Sequence, residues 1–309
     1  MKRLVILNPS SKFGKAAQAF YRMHPNLQER LGQLEVYETS APLDATERVR
    51  AALKAGDFDQ ILVAGGDGSI NECVNGYFED GRLLSGDVPL AVINLGTGGD
   101  FFRTIQSHSP AYEEALIENK FRLVDVGRIS QENRPDPQYF INIASFGMGG
   151  EVVRNLKNSG FQKGTIAFYY HTINVLSRYR APNVKIRLKQ PDGQWIEFEE
   201  DIINFFVCNG QYNGGGMNWA PEGSVEDGAF DIVVVQSTSK LNLVLKSHLV
   251  YQGKIKDFPG TRFFRATEVV AEPRQPISTE IDGEISKYDS DKRFEIRFDL
   301  LPKQLPLVL

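Results

Sequence analysis

Three short acidic stretches hold the side chains that can do chemistry. Asp67 stands in Gly65-Gly66-Asp67-Gly68-Ser69, Asp282 and Glu284 in Ile281-Asp282-Gly283-Glu284, and Asp227 in Glu226-Asp227-Gly228. A carboxylate among glycines that bare their N–H groups suits a phosphate site only if a cation or neighbouring donors offset its charge. Asp67 therefore has two open roles: partner of Mg²⁺, directly or through water, or orienter of the glycine loop. Asp282 reads as a proton acceptor for a hydroxyl. A strand ending at Asp-Gly presents its carboxylate at a turn, where Glu284 can tune or orient it. The alternative is a hairpin corner with both charges in water, and the same alternative stands for Asp227.

These residues need elements to hold them. An apolar strand through Leu62–Ala64 delivers the Asp67 loop, and a helix follows, with Ser69 or Asn71 as its expected cap. The design recurs at Pro89–Thr104: a strand, a turn through Gly96, Thr97, Gly98, Gly99 and Asp100, then an amphipathic helix that Asp100 either caps or leaves for a nucleotide role. A third strand, Leu4–Leu7, runs into Asn8-Pro9-Ser10-Ser11. Gly65, Gly66, Gly68, Gly96 and Gly98 let backbone amides approach an anion closely. Three such loops imply one crevice at the carboxyl edge of a parallel sheet, holding phosphates through Asn8, Ser11, Gly65, Gly66 and Thr97. A Walker P-loop is excluded, because no Gly-x-x-x-x-Gly-Lys-[Ser/Thr] occurs.

With 309 residues and a net charge of −4, the chain has room for two domains and lacks a basic footprint for nucleic acid. No apolar run reaches the roughly 18 residues that span a bilayer. A strand directly after Met1-Lys2-Arg3 leaves no room for a signal peptide, and Cys73 and Cys208 in apolar contexts read as buried, reduced thiols; both suit a cytoplasmic enzyme. Up to residue 123, strands alternate with helices, which reads as an α/β domain with a doubly wound parallel sheet. Over 124–300, short β-branched and aromatic runs dominate, among them Tyr139–Ser145, Trp195–Glu200, Ile202–Cys208, Arg262–Ala271 and Ile277–Ile281, interrupted by helices over Gly164–Tyr179 and Leu241–Gln252. This second domain reads as a mostly antiparallel β-sandwich.

The motifs together resemble the diacylglycerol kinase catalytic-domain family in its bacterial lipid-kinase form, related to sphingosine kinases and to NAD kinases. Asn8-Pro9, the Gly65–Glu72 segment, Gly96–Phe101, the runs 124–129, 140–153 and 208–235, and Glu280–Glu284 follow the family's order across nearly the whole chain. Two positions depart from it: Gly99 replaces a loop asparagine, and Ser11-Lys12 replaces a glycine after the small residue. If the missing amide matters, Gly99→Asn should tighten nucleotide binding.

The resemblance implies an ATP-dependent kinase, with Mg²⁺, that transfers the γ-phosphate to the hydroxyl of diacylglycerol or a related long-chain alcohol. It implies Asp282 as base with Glu284 coupled to it, Glu72 as a ribose-side or adenine-side contact, and Asp227 beside a structural Mg²⁺. It also implies that the tail, 301–309, returns to the first domain. Gly214–Gly216 with Met217 and Trp219 either shape an acyl pocket or pack an edge. Lys157, Lys163, Arg178 and Arg180 around a helix bearing Phe168, Tyr169, Ile173 and Leu176 either rim a membrane-facing surface or flank a packed helix. Transient membrane contact is expected, and a homodimer is allowed. Two other readings stay open: a soluble small-molecule kinase of the NAD kinase type, whose Thr-Gly-Ser-Thr-Ala-Tyr segment is missing here, and a non-catalytic nucleotide- or lipid-binding regulator.

Overall fold

The computed structural model describes the chain apart from residues 132–133, 159–163 and 289–293, and the side chains at 135, 157 and 164–168. It divides into two compact units, Met1–Val126 with Pro302–Leu309, and Gly127–Leu301.

The first unit is built on a parallel sheet. Its strands lie in the order Gln33–Glu38, Lys2–Leu7, Gln60–Gly65, Leu90–Asn94, with Leu307 of the C-terminal strand Ile296–Val308 paired to Leu90. Leu4–Leu7 and Ile61–Ala64 are wholly buried. That is why these strands read as continuous apolar runs rather than alternating ones: helices cover both faces. Those helices are Ala16–Leu31, Asp44–Ala55, Asp67–Gly76, Asp100–His108 and Tyr112–Glu118. The tail is fixed partly by Asp125, whose buried carboxylate accepts the Lys303 N–H at 2.8 Å.

The second unit is antiparallel. The expected strands Trp195–Glu200 and Ile202–Cys208 form one strand, Trp195–Cys208, whose first half pairs with Asn183–Lys189 and whose second half pairs with Phe230–Gln236 and Ile143–Gly147. A register irregularity between Ile202 and Asn204 lets one strand serve both partners. Conversely, the expected run Arg262–Ala271 is two strands, Thr261–Ala266 and Glu268–Pro273. The core between them is aromatic, with Phe146 stacked on Phe205 at 4.7 Å and Phe140 on Phe230 at 5.6 Å. Full burial of such side chains supplies about 1.5–3 kcal/mol each, so this cluster is a main source of the unit's stability. Cys73 and Cys208 are buried free thiols, and burial pushes both pKa values up, leaving them unreactive.

Candidate active site

In the first unit the glycines serve contact between loops before they serve any ligand. A methyl built on Gly96 would lie 2.5 Å from Gly66 Cα, and one on Gly65 would lie 2.6 Å from Ser69 Oγ. The two loops thus touch backbone to backbone, and only glycine fits. Asn8, at the end of its strand, donates from Nδ2 to Ser69 Oγ at 2.9 Å and accepts the Ser10 N–H on Oδ1 at 3.0 Å. All three loops are therefore tied together. Ser11 opens a tight left-handed turn, with φ of 50° at Lys12 and 61° at Phe13. Thr97 is exposed at the tip of its loop.

The Asp67 carboxylate is turned onto the neighbouring loop. Its Oδ2 accepts the Asp100 N–H at 3.2 Å and its Oδ1 accepts the Phe101 N–H at 3.0 Å, capping the helix Asp100–His108 from a neighbouring element. Neither Ser69, Asn71 nor Asp100 caps as expected. The first two lie inside a helix that already begins at Asp67, and Asp100 opens its own helix while its carboxylate pairs with Arg103 at 2.8 Å. Arg103 also donates to the Gly98 carbonyl at 2.7 Å, holding the glycine turn. The outcome is an asymmetry between two helix starts. One is filled by Asp67; the other, Asp67–Gly76, starts at Gly66, which has no side chain to cap it, and a helix start of that kind can receive an anion. Glu72, on that helix, is half-buried.

Asn94 escaped the sequence reading. It ends its strand exposed, accepts the Gly96 N–H at 3.2 Å, and its Nδ2 lies 2.4 Å from where a Gly99 side chain would begin. The loop therefore has an amide after all, carried by residue 94. A side chain at Gly99, whose φ is 61°, would meet this exposed amide, so the expected gain from Gly99→Asn requires Asn94 to move aside.

In the second unit the expected strand Tyr139–Ser145 is interrupted at Ile141 and Asn142, and Asp282 is the reason. Its Oδ2 accepts the Ile141 N–H at 3.1 Å, and its Oδ1 accepts those of Asn142 at 3.0 Å and Ile143 at 3.1 Å. The carboxylate is not presented to water: Asp282 is 5% exposed. Asp282 and Gly283, at φ of 49° and 81°, form a two-residue hairpin loop between Ile281 and Glu284. The hairpin corner and the candidate carboxylate are one object, with the charge turned inward. Glu284 lies half-buried on the return strand.

Around this corner lies a buried polar network that composition could not reveal. Asn142 donates from Nδ2 to the Tyr212 carbonyl at 2.8 Å, and Asn209 donates to the Ile141 carbonyl at 2.7 Å. Glu280 is buried beside them, accepting from Ser145 Oγ at 2.8 Å, Asn213 Nδ2 at 2.9 Å and the Gly283 N–H at 3.0 Å. Burial pushes its carboxyl up to about 7, and the Asp282 charge adds to the rise. The helix Met148–Asn158, absent from the sequence reading, covers this strand. Methyls on Gly149 and Gly150 would come within 2.8 Å of Ser145 Oγ and 2.7 Å of Ser278, so glycine is required for that approach.

The remaining candidates serve packing. Asp227 pairs with Arg265 at 2.6 Å and accepts the Ala229 N–H at 3.3 Å, at the turn that leads into the strand Phe230–Gln236. Trp219 is buried, stacked on Phe206 at 4.0 Å, and Met217 packs against the same cluster, which makes them core rather than pocket rim. Leu176 is likewise core, while Tyr169 and Ile173 are exposed. Lys163 and the side chains of Lys157 and Phe168 lie outside the described residues.

Both halves of this picture have counterparts among known proteins. The family described as diacylglycerol kinase catalytic domain matches residues 2–129, and the YegS C-terminal NAD kinase beta sandwich-like domain matches residues 142–308. The chain belongs to this diacylglycerol kinase family of bacterial lipid kinases, and with it to the phosphotransferases that use an alcohol as acceptor. A diacylglycerol kinase of Bacillus subtilis (strain 168) is 27% identical over 92% of this chain and 90% of its own. One from Staphylococcus carnosus is 29% identical, over 91% and 87%. A solved Bacillus anthracis (strain Sterne) chain, put forward as a diacylglycerol kinase, superposes with a TM-score of 0.73 at 26% identity, covering 99% of this chain and 94% of that one.

Proposed function

We propose that the protein transfers the γ-phosphate of ATP to the hydroxyl of diacylglycerol or a closely related long-chain alcohol. The observation that carries the reading is the uncapped start of helix Asp67–Gly76 beside the Asn8 and Gly96–Gly98 loops. Its free N–H groups and positive dipole end suit nucleotide phosphates. Asn94 supports the same loop set with an exposed amide, and Glu72 lies on the same helix for the ribose side.

Mg²⁺ fits this unit. The carboxylates of Asp67 and Asp100 come within 3.1 and 3.8 Å of the point a Gly98 side chain would occupy. No group of three or more metal-ligating side chains occurs among the described residues, but Mg²⁺ that travels with nucleotide phosphates needs only one or two carboxylates. Bound there, it would spread the negative charge that builds on the phosphoryl oxygens.

Asp282 is assigned to the acceptor side. Three backbone N–H groups, from Ile141, Asn142 and Ile143, hold the carboxylate rigidly in its ionised form, the form that can accept a hydroxyl proton. The alcohol oxygen bonds to the γ-phosphorus as the bond to the β–γ bridging oxygen breaks. The hydroxyl proton passes to Asp282, and ADP leaves.

Contact with a bilayer is supported by the short helix Lys240–Lys246, whose Leu241 and Leu245 are 67% and 62% exposed between two lysines. No described helix is long and apolar enough to cross a membrane. The test is ADP formation, followed by a coupled assay with Mg²⁺-ATP, as dioleoylglycerol is raised in mixed micelles. Saturable dependence on the lipid is expected; ADP formation that responds only to NAD⁺ or fructose 6-phosphate would reject the lipid acceptor.

A further inference from the structure

Glu280 is the one deeply buried carboxyl of the second unit's site that the reaction just described does not use. It lies two residues before Asp282, opposite Ser145 in the strand register, and is 1% exposed. Its three hydrogen bonds come from three separate segments: the strand Ile143–Gly147 through Ser145, the hairpin at Tyr212–Asn213 through Asn213, and the turn through Gly283. The last is the decisive one. The Gly283 amide directly follows Asp282, in a turn that holds Asp282 at a positive φ that a non-glycine residue adopts only at a cost.

We infer that Glu280 is the positioning residue for Asp282: its carboxylate anchors the Asp282–Gly283 turn through the Gly283 amide, and protonating it weakens the anchor, which makes turnover proton-linked. This rests on the assignment of Asp282 as base. The neighbours of Glu280 explain why ionisation matters. Asn213 Nδ2 and the Gly283 N–H can only donate, so they favour the charged acceptor. The Ser145 hydroxyl can reverse and accept, so a protonated Glu280 is tolerated. The bond to Gly283 then changes from charge-assisted to neutral, about half as strong. Facing it are the Asp282 carboxylate and, from strand Trp195–Cys208, the Cys208 thiol, whose own pKa burial and the nearby carboxylates push up. Ionised Glu280 also keeps a negative charge beside Asp282, which strengthens it as a base.

Three readouts on the full chain, with dioleoylglycerol micelles and Mg²⁺-ATP, test this. In the wild type, kcat falls on the acid side with an apparent midpoint of about 7. Glu280→Gln lowers kcat roughly tenfold or more, the scale of one charge-assisted bond, and removes that limb. Asn213→Ala, which deletes a donor to the carboxylate, moves the limb to higher pH. Thermal unfolding provides a reading independent of activity: the wild type loses stability as pH rises from the ordinary carboxyl range to about 7, and Glu280→Gln does not. A limb that stays in place in both variants, with the unfolding signature present, overturns the positioning role while leaving the lipid kinase reading intact. Wild-type turnover in Asp282→Asn overturns the base assignment on which the inference rests.

Discussion

Asp67 and Asp282 are the same device in two settings. Each sits in an Asp-Gly pair, and each turns its carboxylate onto the backbone amides of another segment: Asp67 onto residues 100–101, Asp282 onto residues 141–143. What differs is the support. Asp67 is positioned by bare backbone contact between Gly66 and Gly96, so its loop keeps an open helix start beside it. Asp282 is positioned by a second, buried carboxyl, Glu280, and by an amide-lined interior. The first arrangement suits a ligand that brings its own charge and metal. The second suits a fixed proton acceptor, because burial and a like charge are the levers that tune basicity.

Substitutions can break this contrast, beginning with the largest effect. Asp282→Asn should lower turnover by about 10²–10⁴, the range for loss of a general base, and should leave nucleotide affinity within a factor of two or so (measured by calorimetric titration with ATP). Gly96→Ala places a methyl 2.5 Å from Gly66 Cα, forcing the loops apart. Nucleotide affinity should fall roughly tenfold or more while the second unit's near-ultraviolet circular dichroism is kept, since the strain is local. An unchanged ATP affinity would remove the glycine contact from the account.

The next effect is on stability. Glu280 has its folded-state pKa raised from 4.5 to about 7, so between those values the folded chain holds a proton that the unfolded chain has released. Stability therefore falls as pH rises through that window, by about 3 kcal/mol at most. The difference between wild type and Glu280→Gln in denaturant midpoint, taken at pH 5 and pH 8, should show this slope; parallel curves would contradict it. The smallest effects sharpen the nucleotide loop. Asn94→Ala should weaken ATP binding by a fewfold, and Gly99→Asn should weaken it as well, because Nδ2 of Asn94 occupies the space. Tighter binding in Gly99→Asn would restore the simpler idea that the loop lacks an amide.

Much of the first unit is legible in the chain because its strands are covered on both faces, and so read as unbroken apolar runs ending in glycine. Leu4–Leu7 and Ile61–Ala64 are examples. The caps were not legible. Local pattern points to Ser69 and Asp100, whereas the cap of helix Asp100–His108 comes from Asp67, on a different element. Glu280 was hidden for a different reason. In Ser278-Thr279-Glu280-Ile281, alternation assigns Glu280 to the face away from Ile281, which ordinarily means solvent. Here that face is covered by Ser145 and Asn213. Met148-Gly149-Gly150 give no helix signal in the chain because two adjacent glycines ordinarily break helices; in the structure they lie in a helix, where a close approach to Ser145 and Ser278 requires them. Asn94 looked like a strand end, and only the nearness of its amide to Gly99 gives it a role.

The most direct measurement gives the protein labelled γ-phosphate on ATP, Mg²⁺, dioleoylglycerol micelles, NAD⁺ and fructose 6-phosphate in one tube, and asks where the label goes. The account predicts label in the organic-extractable lipid, lost when Asp282→Asn replaces the wild type. Label confined to the aqueous acceptors, or lipid labelling that survives Asp282→Asn unchanged, would contradict it.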